Sequence, residues 1–435
     1  MRARFLTAAF CLAWGCAVSI VVSIAASQIL LALGLIALLL SRATLRLPPF
    51  WLPVVLFFIA TVAAMLASDH PLRGLPQIRK FYVFLIVVLV YNTFRTIAQI
   101  RSLVLAWAAV ASLSAVAGLF QFLRLLRRAD PAQLRDYGYF LYNRITGFSS
   151  HWMTFGGEVM IVLLALVSFL FLSADRKGKI FGAICVPILF LALVLGLTRS
   201  IFLLGLPLGA TYLIWQWKRW LLLPVPPLLL AAFLLAPMEV RERVISVTEP
   251  HRGMDSNTQR VVSMRTGWAM VRAHPWLGLG PEEVAPQFQE YVPADIPRPL
   301  PPGWYGHLHN IYLQYAAERG LPAMLIMMWL IGTVLWRCLR DLRTAAPDRR
   351  FVLHAAIAVI VAVLAEGLFE HNLGDSEILT LFLTMLTLPF IGKSGRSPRN
   401  STAILATTTG LASQTRPVHA IRRAFRRLAP TANAS

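Results

Sequence analysis

Apolar runs of about 20 residues recur along the whole chain, and each is long enough to cross a hydrocarbon core of about 30 Å as a helix. Only 14% of the 435 residues are charged, against about a quarter in a soluble protein. The runs do not alternate apolar and polar residues, as the strands of a transmembrane β-barrel do. The pattern predicts an all-α, polytopic integral membrane protein.

The first run continues to about Leu40, which favours an uncleaved helical hairpin over a cleaved signal peptide. Orientation follows from the basic connections, because short positive loops stay in the cytoplasm. A cytoplasmic N-terminus places Arg42, Arg95, Lys177 and Lys218 inside. We predict twelve spans, at 5–23, 26–40, 50–67, 81–94, 102–122, 152–173, 180–197, 201–216, 220–237, 320–336, 351–369 and 376–391.

One connection is much longer than the others and divides the chain into parts. Residues 1–237 hold the first nine spans, and residues 238–306 form this long outer loop. Residues 307–391 hold a histidine segment and the last three spans. Residues 392–435 are a basic cytoplasmic tail whose composition predicts disorder.

The long loop contains an apolar spacing typical of a helix. The spacing predicts an amphipathic helix near the membrane surface, because apolar residues three or four apart share one face. The residues that would form this face are Val261, Met264, Trp268 and Val271.

The chain carries a net charge of +21, and arginine supplies most of it. A strongly basic chain can bind nucleic acid, anionic lipid headgroups or an anionic substrate. No nucleic-acid-binding module is visible, so membrane lipids and an anionic ligand remain as partners. Arginines persist on the outer side, chiefly in residues 124–144 and 238–306, and an anionic ligand on that face would account for them.

The long loop ends in the segment Gly306-His307-Leu308-His309-Asn310, directly before an apolar helix enters the bilayer. Polar side chains at such a depth are costly unless they serve a function. His309 is the candidate general base, with His307 and Asn310 as supporting contacts to a substrate. The alternative role for His309 is a helix cap. A His-x-His pair is a weak metal signal without a nearby carboxylate or third histidine, so no metal site is predicted.

Three outer-face arginines are candidates for binding an anion. Arg144 ends the loop before the sixth span, Arg199 lies in the short turn Thr198-Arg199-Ser200, and Arg265 lies on the predicted surface helix. Guanidinium groups bind phosphate oxygens bidentately, which neutralises phosphate charge without a metal ion. The alternative for each arginine is a side chain that anchors the protein at the lipid headgroups.

No Asp-x-Asp motif occurs in the chain, so we predict neither a divalent metal nor another cofactor. The nearest approximation is Asp375-Ser376-Glu377, which follows Glu370-His371-Asn372. We interpret this region as a polar turn that faces water.

Three motifs follow one another in the second half of the chain. They are Arg265-Thr266-Gly267-Trp268-Ala269, then His274-Pro275-Trp276-Leu277-Gly278-Leu279-Gly280, then His307-Leu308-His309-Asn310 with Gly320-Leu321-Pro322 behind it. Together they resemble the O-antigen ligase family, which is also called the ligase and polymerase superfamily of bacterial surface glycans. The resemblance is specific over about residues 196–325.

The resemblance implies a GT-C-like membrane glycosyltransferase of the bacterial inner membrane, with its active site facing the periplasm and without a metal or nucleotide. The implied donor is a glycan on undecaprenyl pyrophosphate, and the implied acceptor is the lipid A–core oligosaccharide of lipopolysaccharide. His309 matches the family's essential histidine, Arg199 and Arg265 match its essential arginines, and Arg144 matches a further arginine. The O-antigen polymerase and protein O-oligosaccharyltransferase branches share these motifs.

A different class of function is transport of a lipid-linked anion, because buried arginines also line substrate pathways. Transporters place charge near the bilayer midplane and show repeat symmetry. Here the polar groups gather on one face and no internal repeat is visible, which favours the enzyme.

Overall fold

The computed structural model describes residues 2–133, 137–236, 238–245, 256–301 and 303–392, and these residues form helices and no strand. The predicted basic tail lies outside the described residues apart from Gly392. The α-helices are α1 (Arg2–Ser19), α2 (Ile24–Leu40), α3 (Trp51–Ala67), α4 (Leu75–Lys80), α5 (Leu85–Thr93), α6 (Ile97–Arg128), α7 (Tyr137–Tyr142), α8 (Trp152–Leu172), α9 (Arg176–Leu195), α10 (Leu206–Lys218), α11 (Val225–Leu235), α12 (Met238–Ile245), α13 (Ser256–Ala273), α14 (Val284–Tyr291), α15 (Ile311–Leu342), α16 (Pro347–Glu366) and α17 (Ser376–Thr387).

Six helical segments of the described chain are long and apolar enough to cross a membrane. They are Pro71–Thr93, Ile97–Arg128, Trp152–Leu172, Arg176–Leu195, Ser200–Leu222 and Ile311–Leu342. Shorter apolar helices cover Ile24–Leu40, Trp51–Ala67, Val225–Leu235 and Ser376–Phe390. The predicted all-helical, multi-pass architecture is confirmed, whereas the count of twelve spans and the GT-C-like fold stay predictions.

The helices α8 and α16 form the buried centre of the bundle. The start of α10 packs closely on α16, because Gly205 directly before α10 and Gly209 inside it are four residues apart and both face α16. A Cβ at Gly205 would lie 3.1 Å from the carbonyl oxygen of Ala362, and one at Gly209 would lie 3.0 Å from that of Ala358. Small residues at this spacing let helix backbones approach inside a membrane. This contact holds the C-terminal part of α16 in place, and Glu370 lies in the segment that follows this helix.

Contacts between the connections assign them to two ends of the bundle. At one end, Arg101 Nη2 lies 2.8 Å from Asp348 Oδ1. At the other end, Arg73 Nη1 lies 3.3 Å from Glu283 Oε2, so the long loop packs on the chain that follows α3. Because α15 and α16 are joined by a short turn at the first end, residues 307–310 and 367–375 meet at the second end. We call this second end the cavity end.

The predicted helix of the long loop exists as α13, and Val271 of its predicted apolar face is buried in the protein, whereas contact of that face with the membrane surface stays a prediction. Val261 and Trp268 are 54% and 49% exposed, whereas Val262 and Met270 are buried. The buried side of α13 packs with α14, Leu308 and the first half of α15 in a small apolar core. The helix turns its small residues toward α15, and this packing decides which face is buried.

α15 is broken in its first third by Gly320, whose φ of 80° and ψ of 162° lie outside the helical region. This backbone conformation is essentially restricted to glycine. Pro322, two residues after Gly320, has no N–H, so the carbonyl of Glu318 has no helical donor four residues later. The break therefore leaves carbonyl oxygens of α15 available to another segment.

Residues 274–280, which follow α13, supply the missing donors. The amide of Leu279 donates to the Ala317 carbonyl at 2.8 Å, and the amide of Gly280 donates to the Glu318 carbonyl at 3.0 Å. Buried backbone carbonyls need such partners. The motif of residues 274–280 and the motif Gly320-Leu321-Pro322 thus form one joint between two segments. This joint attaches the long loop to the membrane-spanning helix α15.

Gly320→Ala is expected to destabilise the protein by at least about 2 kcal/mol, because a Cβ there would overlap the carbonyl oxygen of Trp276 in a conformation that disfavours alanine. Thermal unfolding in detergent measures the effect. Gly332→Ala is the matched control, since a Cβ at Gly332 meets nothing within 4 Å and helix propensity favours alanine. Equal melting temperatures for the two variants would contradict the joint.

Candidate active site

A cavity of about 1320 Å³ opens at the cavity end, and we call it the main cavity. Its walls come from α4, the start of α8, the first turn of α13, the loop 303–309 and the segment 370–377. Charged and histidine side chains from distant parts of the sequence therefore line one open cavity. A space of this size accommodates several sugar or phosphate groups.

His309 lies in the wall of the main cavity, and its side chain is 11% exposed. Its φ is +50°, a left-handed conformation that is uncommon for a residue other than glycine. Strained backbone of this kind persists where the surrounding structure fixes it, often at functional sites. Directly after it, the Asn310 side chain caps α15 by accepting from the Leu313 amide at 2.8 Å and donates to the Leu368 carbonyl at 3.0 Å.

Glu370 contacts the imidazole of His309 at its Nδ1 atom. Its Oε1 lies 3.1 Å from His309 Nδ1, and its Oε2 lies 3.2 Å from Arg260 Nη2. The residue is 1% exposed, so our interpretation of this region as a polar turn facing water is wrong for Glu370. A buried carboxylate needs partners of this kind to remain charged.

The charge state of Glu370 follows from these contacts. Burial alone would raise the pKa of its carboxyl, but the hydrogen bond with His309 and the positive charge of Arg260 lower that pKa and keep the carboxylate ionised. An ionised carboxylate can only accept, so we assign the proton of His309 to Nδ1. This tautomer leaves the lone pair on Nε2, which lies 3.5 Å from the side-chain amide nitrogen of Gln259 and 3.3 Å from the Trp304 carbonyl oxygen.

His307 supports the backbone of His309. Burial, with the neighbouring His309 acting in the same direction, lowers the pKa of His307 to about 4, so its imidazole is neutral. Its Nδ1 accepts a hydrogen bond from the His309 amide at 3.1 Å. The ring centroids of the two histidines are 4.2 Å apart.

The same side chains form a group that could hold a metal ion. One ligand atom from each of His307, His309 and Glu370 lies within 4.8 Å of the other two. We predicted no metal site because the sequence places no third ligand beside the His-x-His pair. The fold supplies that carboxylate from a residue that is 61 positions after His309.

Only one of the three arginines predicted to bind an anion lines the main cavity. Arg144 lines the main cavity, and its guanidinium lies 4.0 Å from the ring centroid of Trp152. Arg199 is buried outside the lining, and its Nη2 donates to Asn257 in the first turn of α13 at 2.7 Å. Arg265 is also outside the lining: its side chain is 47% exposed and pairs with Asp295 at 2.7 Å.

Arg260 takes the place in the main cavity that the sequence suggested for Arg265. The two residues are five positions apart on α13, which turns them about 140° from each other around the helix axis. Asn257 and Arg260 are three apart and share the face toward Arg199 and Glu370. One helix face thus connects the buried Arg199 with the cavity.

The main cavity has two electrostatic regions. We define the basic sector as Arg144, His151, Arg260, His307, His309 and Glu370, whose positive charge comes from the two guanidinium groups. The acidic sector contains carboxylates around Lys80, and its residues are Lys80, Glu282, Glu318, Asp375 and Glu377. Part of the acidic charge is neutralised, since Glu318 forms a buried ion pair with Arg319. An anion would bind in the basic sector, and sugar hydroxyls could donate to the carboxylates of the acidic sector.

Comparison with known proteins identifies a family for part of the chain. Residues 183–328 match the protein family described as O-antigen ligase. This segment belongs to the O-antigen ligase family. The resemblance seen in the sequence is confirmed, and it places a domain of the ligase and polymerase superfamily in a multi-pass helical protein. The chain has no significant match among curated protein sequences.

The O-antigen ligase segment contains part of the main cavity's basic sector but not all of it. Arg260, His307 and His309 lie inside the matched residues, whereas Arg144 and Glu370 lie outside. Sequence reasoning missed Arg260 and misjudged Glu370. A signal for Arg260 was its position three residues after Asn257, which places the two polar side chains on one face of a helix.

Proposed function

We propose that this protein is an O-antigen ligase that transfers a glycan from undecaprenyl pyrophosphate to the lipid A–core oligosaccharide, without a metal ion and with inversion at the anomeric carbon. The observation that carries the proposal is the His309–Glu370 pair, 3.1 Å apart, in a cavity that also holds Arg260 and Arg144. The family of residues 183–328 supports the same class of reaction.

His309 is the proposed general base. A hydroxyl of the acceptor attacks C1 of the donor sugar, the C1–O bond to pyrophosphate breaks, and the hydroxyl proton passes to Nε2 of His309. Glu370 is a positioning residue, because its carboxylate holds the Nδ1–H tautomer and stabilises the imidazolium that forms. Attack opposite the leaving group inverts the anomeric configuration.

The leaving pyrophosphate gains charge as the C1–O bond breaks. Fixed guanidinium groups stabilise such charge in a site that excludes water, and they match phosphate oxygens bidentately. We assign this role to Arg260 and Arg144, which both line the main cavity. Arg199 would act through Asn257 by holding the first turn of α13. The role that the resemblance gives Arg265 requires a movement of α13 or of the Arg265–Asp295 pair.

The proposed site faces the periplasm of a bacterial inner membrane, with residues 238–306 outside and membrane lipids around the bundle. Modification of Glu290→Cys by a membrane-impermeant thiol reagent in intact, outer-membrane-permeabilised cells tests this orientation. The background should carry Cys11→Ser, because Cys11 is exposed whereas the other three cysteines are buried. Labelling only after cell lysis would contradict the orientation.

The test of function uses purified full-length protein, a glycan on undecaprenyl pyrophosphate, and EDTA. Lipid A–core oligosaccharide, a second lipid-linked glycan and an acceptor polypeptide are supplied in separate reactions. We expect transfer to lipid A–core at an undiminished rate in EDTA, measured by mass spectrometry of the product. Transfer only to the second glycan or to the polypeptide would instead identify an O-antigen polymerase or a protein O-oligosaccharyltransferase. Complete loss of activity in EDTA would contradict the metal-independent mechanism.

A further inference from the structure

His307, His309 and Glu370 present three ligand atoms of the kinds that zinc prefers. His309 Nδ1 and His307 Nε2 lie 3.1 Å and 3.8 Å from the same oxygen, Glu370 Oε1. A metal ion on His307 Nε2 would require the proton of this neutral imidazole on Nδ1, so it would break the hydrogen bond that Nδ1 accepts from the His309 amide. The side chains are 11%, 16% and 2% exposed, in the order His309, His307, Glu370. Two imidazoles and one carboxylate, with further positions open toward a cavity, are the ligand set of an accessible zinc site.

We propose that this triad binds a borderline divalent transition metal of the Zn²⁺ class, and that the bound ion blocks glycan transfer. The binding site stands on the geometry alone, whereas the inhibitory effect rests on the proposed function of His309. Binding of the ion would therefore regulate the general base His309.

The inhibition follows from which nitrogen the ion would occupy. A neutral imidazole has one N–H and one lone pair, and a metal ion on Nδ1 requires the lone pair to be there. The single proton must then reside on Nε2, so Nε2 can no longer accept the proton of an acceptor hydroxyl. The ion also draws Glu370 away from its hydrogen bond to His309, which removes the orientation of the base.

Charged and polar neighbours of the triad would also affect metal binding. Arg260 lies 3.2 Å from Glu370 Oε2 and opposes a second positive charge, although Oε1 remains on the side of the histidines. A third imidazole, His371, has its ring centroid 5.8 Å from that of His307. Within the described residues, the buried Nδ1 of His371 has no hydrogen-bond partner, but His371 does not belong to the group whose ligand atoms lie within 4.8 Å of one another.

The first experiment measures binding of Zn²⁺ alone. Full-length protein, purified without a histidine tag and stripped with EDTA, is titrated by calorimetry as the natural chain, as His307→Gln and as His274→Gln. His274 is the matched control because it pairs with Tyr291 at 2.9 Å, outside the cavity lining. We expect one ion per natural chain and per control, and an affinity at least about tenfold weaker in His307→Gln. No binding by the natural chain, or equal binding by His307→Gln, would overturn the site.

The second experiment measures transfer with and without micromolar Zn²⁺, with each variant compared with its own rate in EDTA. We expect inhibition of the natural chain and of His274→Gln, and resistance in His307→Gln. Bound Zn²⁺ with an unchanged transfer rate in the natural chain would overturn the proposed control. A protein that transfers nothing in EDTA fails the proposed function instead, and the calorimetric result then decides the metal site by itself.

Discussion

His309→Ala is expected to lower the glycan-transfer rate by about 10²- to 10⁴-fold, the usual contribution of a general base. The side chain lies in the cavity wall, with Nδ1 held by Glu370 and the lone pair on Nε2. Its removal should affect the chemical step while leaving donor binding, which depends on the arginines, largely intact. Transfer rate, donor affinity and melting temperature should be measured on the same preparation.

Two further variants separate catalysis from structure at this site. His307→Ala should be milder, because His307 accepts from the backbone of His309 at 3.1 Å and takes no proton in the reaction. Glu370→Gln should lower kcat more than it changes KM, because the amide alters the tautomer of His309 without removing a contact to the donor. If His309 were only a structural residue, His309→Ala would be unstable but active, and that result would refute the catalytic assignment.

Arg260→Lys is expected to lower transfer by about 10²- to 10³-fold, the cost of losing one preorganised donor to a developing anion. Lysine keeps the charge but not the planar fork, so the loss would report geometry rather than net charge. Arg260 lines the main cavity and contacts Glu370 at 3.2 Å, which places it beside the base.

Arg265→Lys is the matched control for that prediction. It lies on the same helix and carries the same charge, but its guanidinium pairs with the exposed Asp295 at 2.7 Å. We expect Arg265→Lys to retain most activity under the same assay. The reverse order, with Arg265→Lys inactive and Arg260→Lys active, would show that the resemblance identified the correct arginine and that α13 rotates in the working enzyme.

The helical architecture was accessible from the sequence because apolar runs of membrane length carry their own signal. The existence of α13 was accessible for a similar reason, but its buried face was not. Ser263 and Thr266 are fully buried against the neighbouring structure, whereas Trp268 is half exposed. A count of apolar residues cannot reveal that small polar residues permit the closer helix contact.

In the functional site, too, some residues could be identified from the sequence and others only from the tertiary structure. His309 was identified because a polar cluster at the start of a membrane helix is costly. Its partner Glu370 was not identified, because the contact depends on the antiparallel pairing of α15 with α16. No local sequence pattern predicts that contact. The choice between Arg260 and Arg265 likewise depends on the rotation of α13 about its own axis.

The central claim is that the donor pyrophosphate binds in the basic sector beside His309. The most direct measurement is an experimental structure of the protein with undecaprenyl pyrophosphate bound. Our account predicts pyrophosphate oxygens within hydrogen-bond distance of Arg260 and Arg144, with His309 Nε2 facing the position of the sugar C1. Pyrophosphate bound at Arg265 on the exposed face of α13, or anywhere outside the main cavity, would contradict it.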